Sequence, residues 1–140
     1  MRKEDLNCKV QYASRQSLLG DTTEKTLEIE GVYNPDEKIL RFKENIGDEN
    51  NVIEVETAFH FFDSHIEVYR DGEMTFDFDQ RKDTTSTYNT PYGAMNMLIH
   101  TKELASSIND TKGSAYMEYN IFFDKDTKSD CMYGIKFEVV

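Results

Sequence analysis

The chain of 140 residues predicts an all-β fold. It is expected to be one domain, residues 1–140, built as a single antiparallel up-and-down β-barrel, closed or nearly closed, of about eight to ten strands with at most one short helix. Three observations carry that expectation. Apolar and polar residues alternate with a period of two through most of the chain. The alternating runs are short and separated at regular intervals by turn residues. Every run has one apolar and one polar face, which suits one shared core under a solvated exterior. Short connections make sequence neighbours antiparallel neighbours in space, and 140 residues suffice to enclose one core.

In order, Leu6, Cys8, Val10 and Tyr12 share the apolar parity of the first strand. Residues 17–25 read as a loop around Gly20-Asp21-Thr22-Thr23. Leu27, Ile29, Gly31 and Tyr33 mark the second strand. Asn34-Pro35-Asp36-Glu37 is a turn, because proline pre-sets φ at its second position. Leu40 and Phe42 alternate with Ile39, Arg41 and Lys43 in the third strand, and residues 45–51 form a polar loop. Ile53, Val55, Thr57, Phe59 and Phe61 make the longest run of period two, broken at Asp63-Ser64.

Residues 66–79 read as a hairpin, and two registers compete. A two-residue Asp71-Gly72 turn pairs Tyr69 with Met74 and sets Glu67 beside Phe76. A three-residue loop, Arg70-Asp71-Gly72, pairs Val68 with Met74 and Ile66 with Phe76. The second keeps one face apolar and places Glu67, Thr75 and Asp77 on the other, so it is the expected register, with Gly72 as the left-handed residue of the bulge.

Residues 80–83 make a charged turn, residues 84–88 are extended, and Thr90-Pro91-Tyr92-Gly93 turns the chain. Met95, Met97, Ile99 and Thr101 form a strand. Residues 102–108 are the one helical candidate, two turns long, with Thr101 near the cap. Residues 109–113 are a loop. Met117, Tyr119, Ile121 and Phe123, and then Cys131, Tyr133, Ile135, Phe137 and Val139, form the last two strands around a turn at 124–130.

Lysine and arginine number 16 against 27 aspartates and glutamates, for a formal net charge of −11. That balance argues against a nucleic-acid or anionic-membrane partner, since both need a basic surface. No apolar run approaches the ~18 residues of a membrane span. The first residues lack the apolar core of a signal peptide, so a cytoplasmic location is expected. Cys8 and Cys131 lack metal-site spacing and read as two small buried hydrophobes. If the first and last strands meet to close a barrel, the two thiols could be neighbours.

The inner parity is not purely aliphatic. It carries Tyr12, Tyr33, Tyr119 and Tyr133, with Thr57, Thr101 and, at a strand end, Arg70. Buried phenols need partners. Either the hydroxyls reach the barrel mouth, each other or trapped water, or they anchor a small ligand in the narrow interior. Tyr88-Asn89-Thr90-Pro91-Tyr92-Gly93 is a tight turn in which Pro91 fixes φ and Gly93 permits positive φ. It also offers Tyr88, Thr90 and Tyr92 at a barrel rim. The candidate ligand site is therefore Tyr12, Tyr33, Thr101, Tyr119 and Tyr133 inside, with Arg70, Tyr88, Thr90 and Tyr92 at the mouth.

Other constellations are weaker. His60, His65 and His100 all fall on outward parity and read as exposed side chains rather than a zinc or haem site. Asp77 and Asp79 share a face and read as a solvated pair that guards a sheet exterior. Residues 124–130 open like a calcium loop but lack the central glycine, and Ile135 stands where the final glutamate belongs. No catalytic residue, metal ligand or cofactor is assigned.

Several of these residues together resemble the YwiB-like bacterial family. They are Tyr69-Arg-x-Gly with Met74-x-Phe76, Tyr88-x-Thr-Pro-Tyr-Gly93, Ile99-x-Thr101 and Met117-x-Tyr119, together with the upstream Gly31-x-Tyr33 and Leu40-x-Phe42-x-Glu44. The resemblance runs from about Leu27 to the last strand and implies a calycin-like barrel, similar to lipocalins in architecture, in an uncharacterised family of cytoplasmic bacterial proteins. It assigns no functional residue. The chain departs from true lipocalins in having no Trp, hence no Gly-x-Trp near the first strand.

Three functions fit. The leading one is a cytoplasmic barrel that binds a small amphipathic or aromatic ligand without catalysis, Arg70 pairing with an anionic group. The second is an interaction or structural barrel with a filled core, docking a partner or a second copy as a homodimer. The third is an enzyme using the barrel mouth.

Overall fold

The structure, a computed structural model, describes residues 5–48, 51–70, 74–90 and 93–140, and at 46–48, 51, 53, 74 and 88–90 the backbone alone. Ten strands form one closed barrel. They are β1 Leu6–Leu18, β2 Asp21–Asn34, β3 Ile39–Asp48, β4 Asn51–Phe61, β5 Ile66–Arg70, β6 Met74–Phe78, β7 Thr84–Thr90, β8 Gly93–Ile108, β9 Lys112–Phe122 and β10 Lys128–Val139. Each pairs antiparallel with its neighbours in sequence, and β10 returns to β1, which gives the expected up-and-down barrel. No described residue is helical, and no helix is long and apolar enough to cross a membrane.

The alternation seen in the sequence sets the inside. Val10, Leu40, Ile99 and Met117 are fully shielded from solvent, and Phe59, Ile66 and Ile135 nearly so. Each such side chain contributes about 1.5–3 kcal/mol of transfer free energy. Tyr33, Phe59 and Phe137 lie inside as the parity demands, and so do Tyr12 and Phe42. Both thiols are free and buried. The first and last strands do meet, but their register sets Cys8 opposite Val139 and Cys131 opposite Gln16, so the cysteines stand far apart along the seam.

Three segments differ from expectation because the strands run further than their apolar residues do. Residues 17–25 are not a loop: β1 continues to Leu18, β2 starts at Asp21, and Leu19 (φ 51°) with Gly20 (φ 87°) makes a two-residue turn. Residues 45–51 mostly belong to β3 and β4. Residues 102–108 are strand, not helix, paired to β9 through Leu104 opposite Met117 and Ile108 opposite Gly113. A bulge between Thr101 and Glu103 switches the inward parity, so Leu104 and Ile108 pack on the core.

The hairpin joins Arg70 to Met74, Val68 to Phe76 and Ile66 to Phe78. That is two residues away from the expected register. An even shift keeps the faces, so Glu67, Tyr69, Thr75 and Asp77 still point outward. The Gly72 bulge lies outside the described residues. Gly93 has φ 120° as its turn requires, and Asn34 Oδ1 accepts the Asp36 and Glu37 amides at 3.0 and 2.9 Å to close the next turn.

The β6–β7 seam is held differently from the others. The described ladder there is the single pair Met74 and Tyr88. Hydroxyls supplement it: Thr84 Oγ1 donates to the Asp77 carbonyl at 2.5 Å, and Ser86 Oγ donates to the Thr75 carbonyl.

Candidate functional site

Leu40, Phe42 and Glu44 follow one another on the inner parity of β3, so the strand that delivers two core side chains also drives a carboxylate into the barrel. The Glu44 side chain is 1% exposed. Four donors converge on it. Arg70 Nη2 at 2.9 Å and Thr57 Oγ1 at 3.0 Å reach Oε1. The Tyr12 hydroxyl and Lys25 Nζ, the latter at 3.4 Å, reach Oε2. The donors come from β1, β2, β4 and β5, and the β4–β5 register sets Thr57 directly opposite Arg70.

Burial alone would raise the Glu44 pKa. The Tyr12 hydrogen bond, the Arg70 and Lys25 charges and the Thr57 hydroxyl outweigh it and hold the carboxyl below its ordinary value. One carboxylate thus faces two cations, and the cluster carries net positive charge within a strongly acidic protein. Lys25 Nζ also lies 5.7 Å from the Tyr12 ring centroid, a cation–π distance.

An aromatic wall continues from this cluster. Tyr12 stacks on Tyr133 with centroids 5.2 Å apart, and Tyr133 meets Phe59 at 5.5 Å. Desolvation by burial, reinforced by the Glu44 hydrogen bond and charge, pushes the Tyr12 phenol up. Burial likewise pushes up Tyr133 and Tyr119, so all three stay neutral donors at physiological pH. The Tyr133 hydroxyl and Thr101 Oγ1 are sealed from solvent and have no hydrogen-bond partner among the described residues. Such buried atoms are rare and costly.

The expected ligand site therefore divides. Tyr12, Arg70 and Tyr133 come together around Glu44. Tyr119 and Thr101 lie opposite each other on β9 and β8, with Tyr119 packed on Phe78 at 4.5 Å. Tyr33 belongs to the apolar part, its ring 4.3 Å from Phe137. The side chains of Tyr88, Thr90 and Tyr92 lie outside the described residues.

Glu44, Thr57 and Lys25 were missing from the expected site. Glu44 stands in the resemblance motif but beyond the Lys43 end of the expected third strand; continuing the parity by one step finds an acid where a hydrophobe belongs. Lys25 fell in a stretch read as a loop. Thr57 was recognised as inward but given no role.

Outside the cluster, His60 packs on Phe62 at 3.9 Å and His100 Nδ1 contacts Asp83 Oδ1 at 2.8 Å. Asp79 is not solvated as expected: it is 2% exposed. Hydrogen bonds from the Arg81 guanidinium and backbone amide hold its carboxyl well below the usual range. Two cavities among the described residues, of about 740 and 390 Å³, lie on the outer wall rather than inside. The larger is lined by Gln11, Ala13, Thr26, Ser114, Gly134 and Lys136, whose parity turns them away from the core.

A closed antiparallel barrel with a hydrogen-bonded, charged cluster on its inner wall is the class of molecule these features define. The chain belongs to the family described as Domain of unknown function (DUF1934), whose model matches residues 10–135. It is similar in structure to the ywiB protein from Bacillus subtilis, with a TM-score of 0.80 and 16% identity over 99% of this chain and 95% of that one. At that identity the likeness establishes the fold, and it agrees with the barrel expected from the resemblance. No curated protein matches the sequence.

Proposed function

We propose that the barrel is a cytoplasmic, non-catalytic binder of a small amphipathic or aromatic molecule carrying an anionic or acceptor-rich group. The observation that carries this reading is the Glu44 cluster, together with Tyr133, which stacks on Tyr12 and whose hydroxyl has no partner among the described residues. A buried ion pair is no more stabilising than well-packed hydrophobes of the same volume, and an unpaired buried hydroxyl is a net cost. Stability alone gives no reason for either.

Glu44 has both oxygens occupied, so it orients Arg70 rather than waiting for a ligand. Arg70 has five N–H donors and, among the described residues, uses Nη2 for Glu44. The spare groups are thus donors, and the local charge is positive. A carboxylate or similar acceptor on the ligand would meet Arg70, whose side chain is 24% exposed, and its apolar body would have to part the packed Tyr12, Tyr133 and Phe59 rings to reach the Tyr133 hydroxyl. The formal charge of −11 supports a partner other than nucleic acid or anionic membrane.

Native mass spectrometry of protein purified from its own source tests the idea. A co-purifying small molecule, present in the wild type and lost in Arg70→Met and Tyr133→Phe proteins, is expected. A wild type that carries nothing and shows no thermal shift with a panel of aromatic acids would reject it.

A second reading is favoured by the outer groove of about 740 Å³, whose floor of small residues suits a docked segment or a second copy of the chain. Sedimentation equilibrium distinguishes it, since a homodimer through that face would be broken by Gly134→Arg.

A further inference from the structure

We propose that His65, Glu67 and Asp77 form a binding site for one divalent first-row metal ion of the zinc class on the outer wall of the barrel. His65 and Glu67 alternate onto the outward face at the start of β5, and the β5–β6 register sets Asp77 directly opposite Glu67. One ring nitrogen and one oxygen from each carboxylate all lie within 4.8 Å of one another. His65 Nε2 is 3.7 Å from Glu67 Oε1. Ligand atoms on a tetrahedral zinc with bonds of ~2.0–2.2 Å sit roughly 3.4 Å apart, so the three need only a small inward adjustment.

An independent observation comes from Asp77. Its Oδ1 is sealed from solvent and has no hydrogen-bond partner among the described residues. Glu67 and Asp77 face each other across the β5–β6 ladder, and two like charges so placed repel. A cation between the carboxylates removes that conflict.

The surroundings also hold the three groups in place. Ser64 Oγ is 3.4 Å from His65 Nδ1, and the Phe62 ring stacks on the imidazole at 4.3 Å and 11°. The Tyr69 hydroxyl donates to Glu67 Oε2, leaving Oε1 toward His65. Partners of this kind fix ring tautomer and carboxylate orientation in metal sites. One histidine and two carboxylates suit zinc or manganese and leave a coordination position for water or an external donor. The histidines alone do not reveal the site in the sequence, because the other ligands are carboxylates that the hairpin brings together.

Metal-free protein dialysed against Zn²⁺ or Mn²⁺ at neutral pH, with bound metal counted by elemental mass spectrometry, tests the proposal. One equivalent is expected in the wild type and in His100→Gln, with affinity at least ~10-fold weaker in His65→Gln. Asp77→Asn removes a charge that faces Glu67 and whose Oδ1 has no hydrogen-bond partner among the described residues, so its metal-free form should melt at or above the wild-type temperature while its metal binding falls in the same way. Wild type that binds no metal, or His65→Gln and Asp77→Asn proteins that bind it as the wild type does, would overturn the site.

Discussion

Glu44 and Tyr133 both meet Tyr12 inside the barrel, yet their removal should have opposite effects. Replacing Glu44 with Gln leaves Arg70 without its counter-charge and weakens four hydrogen bonds at once, at a cost on the order of 2–3 kcal/mol. Replacing Tyr133 with Phe deletes a hydroxyl that has no partner among the described residues. It should leave stability unchanged or raise it by up to about 1 kcal/mol. Urea unfolding of both variants measures the difference, and a Tyr133→Phe protein as weakened as Glu44→Gln would mean that the hydroxyl is bonded after all.

The same residues set the acid limb of stability. The carboxyls of Glu44 and Asp79 both have folded pKa values below their ordinary ones. Their contribution is therefore complete above the unfolded carboxylate values of about 4 and is lost as pH falls through the lower folded values. The urea midpoint should stay level from neutral pH to about 5 and then decline, with a shallower decline in Glu44→Gln.

At the scale of strands, glycines mark where walls approach. A Cβ on Gly31 would stand 2.6 Å from the Arg41 carbonyl oxygen on the neighbouring strand, whereas at Gly134 the nearest atom, Tyr116 Cδ2, is 4.0 Å away. Gly31→Ala must push β2 from β3 and should cost about 1–3 kcal/mol. Gly134→Ala should lie within about 0.5 kcal/mol of wild type or slightly above it. Equal melting temperatures for the two variants would show that the β2–β3 contact yields more easily than backbone packing suggests.

Strand identity was legible from alternation, and strand extent was not. The first half of β2 is exposed on both faces, so it is held by backbone pairing to β1 and leaves no hydrophobic trace in the sequence. Leu104 and Ile108 are four apart, a spacing that fits one face of a helix and one face of a strand equally well, and the bulge after Thr101 hid the continuity. The hairpin was placed two residues off because every even shift gives the same faces; only the loop geometry separates them. The tyrosines of the candidate site were visible as polar groups on an apolar parity. Their partners are hidden because Glu44 lies one step past the expected third strand and Lys25 lies before the expected second one.

For the whole molecule, burial and closure act together. Core side chains come from nearly every strand, and almost all pairing is between neighbours, apart from the β1–β10 seam that joins the two ends of the chain. Unfolding should therefore be a single cooperative transition, the same by circular dichroism and by tyrosine fluorescence. Folding should be slow for the chain length, since the closing pair of strands lies more than a hundred residues apart. Noncoincident transitions by the two probes would show that part of the wall opens on its own, and the thinly laddered β6–β7 seam would be the place to look.

The β1–β10 seam has one more consequence. Cys8 faces Val139, and the Val140 amide donates to the Asn7 carbonyl at 3.0 Å. The wall is thus a continuous hoop of ten staves in which the first and last lie side by side. An engineered linker joining the end of β10 to the start of β1 would tie these two staves covalently. A new opening could then be cut at the tip between Leu19 and Gly20, where Leu19 is 83% exposed. Such a rearranged chain should reach the same native shape while visiting its strands in a different order.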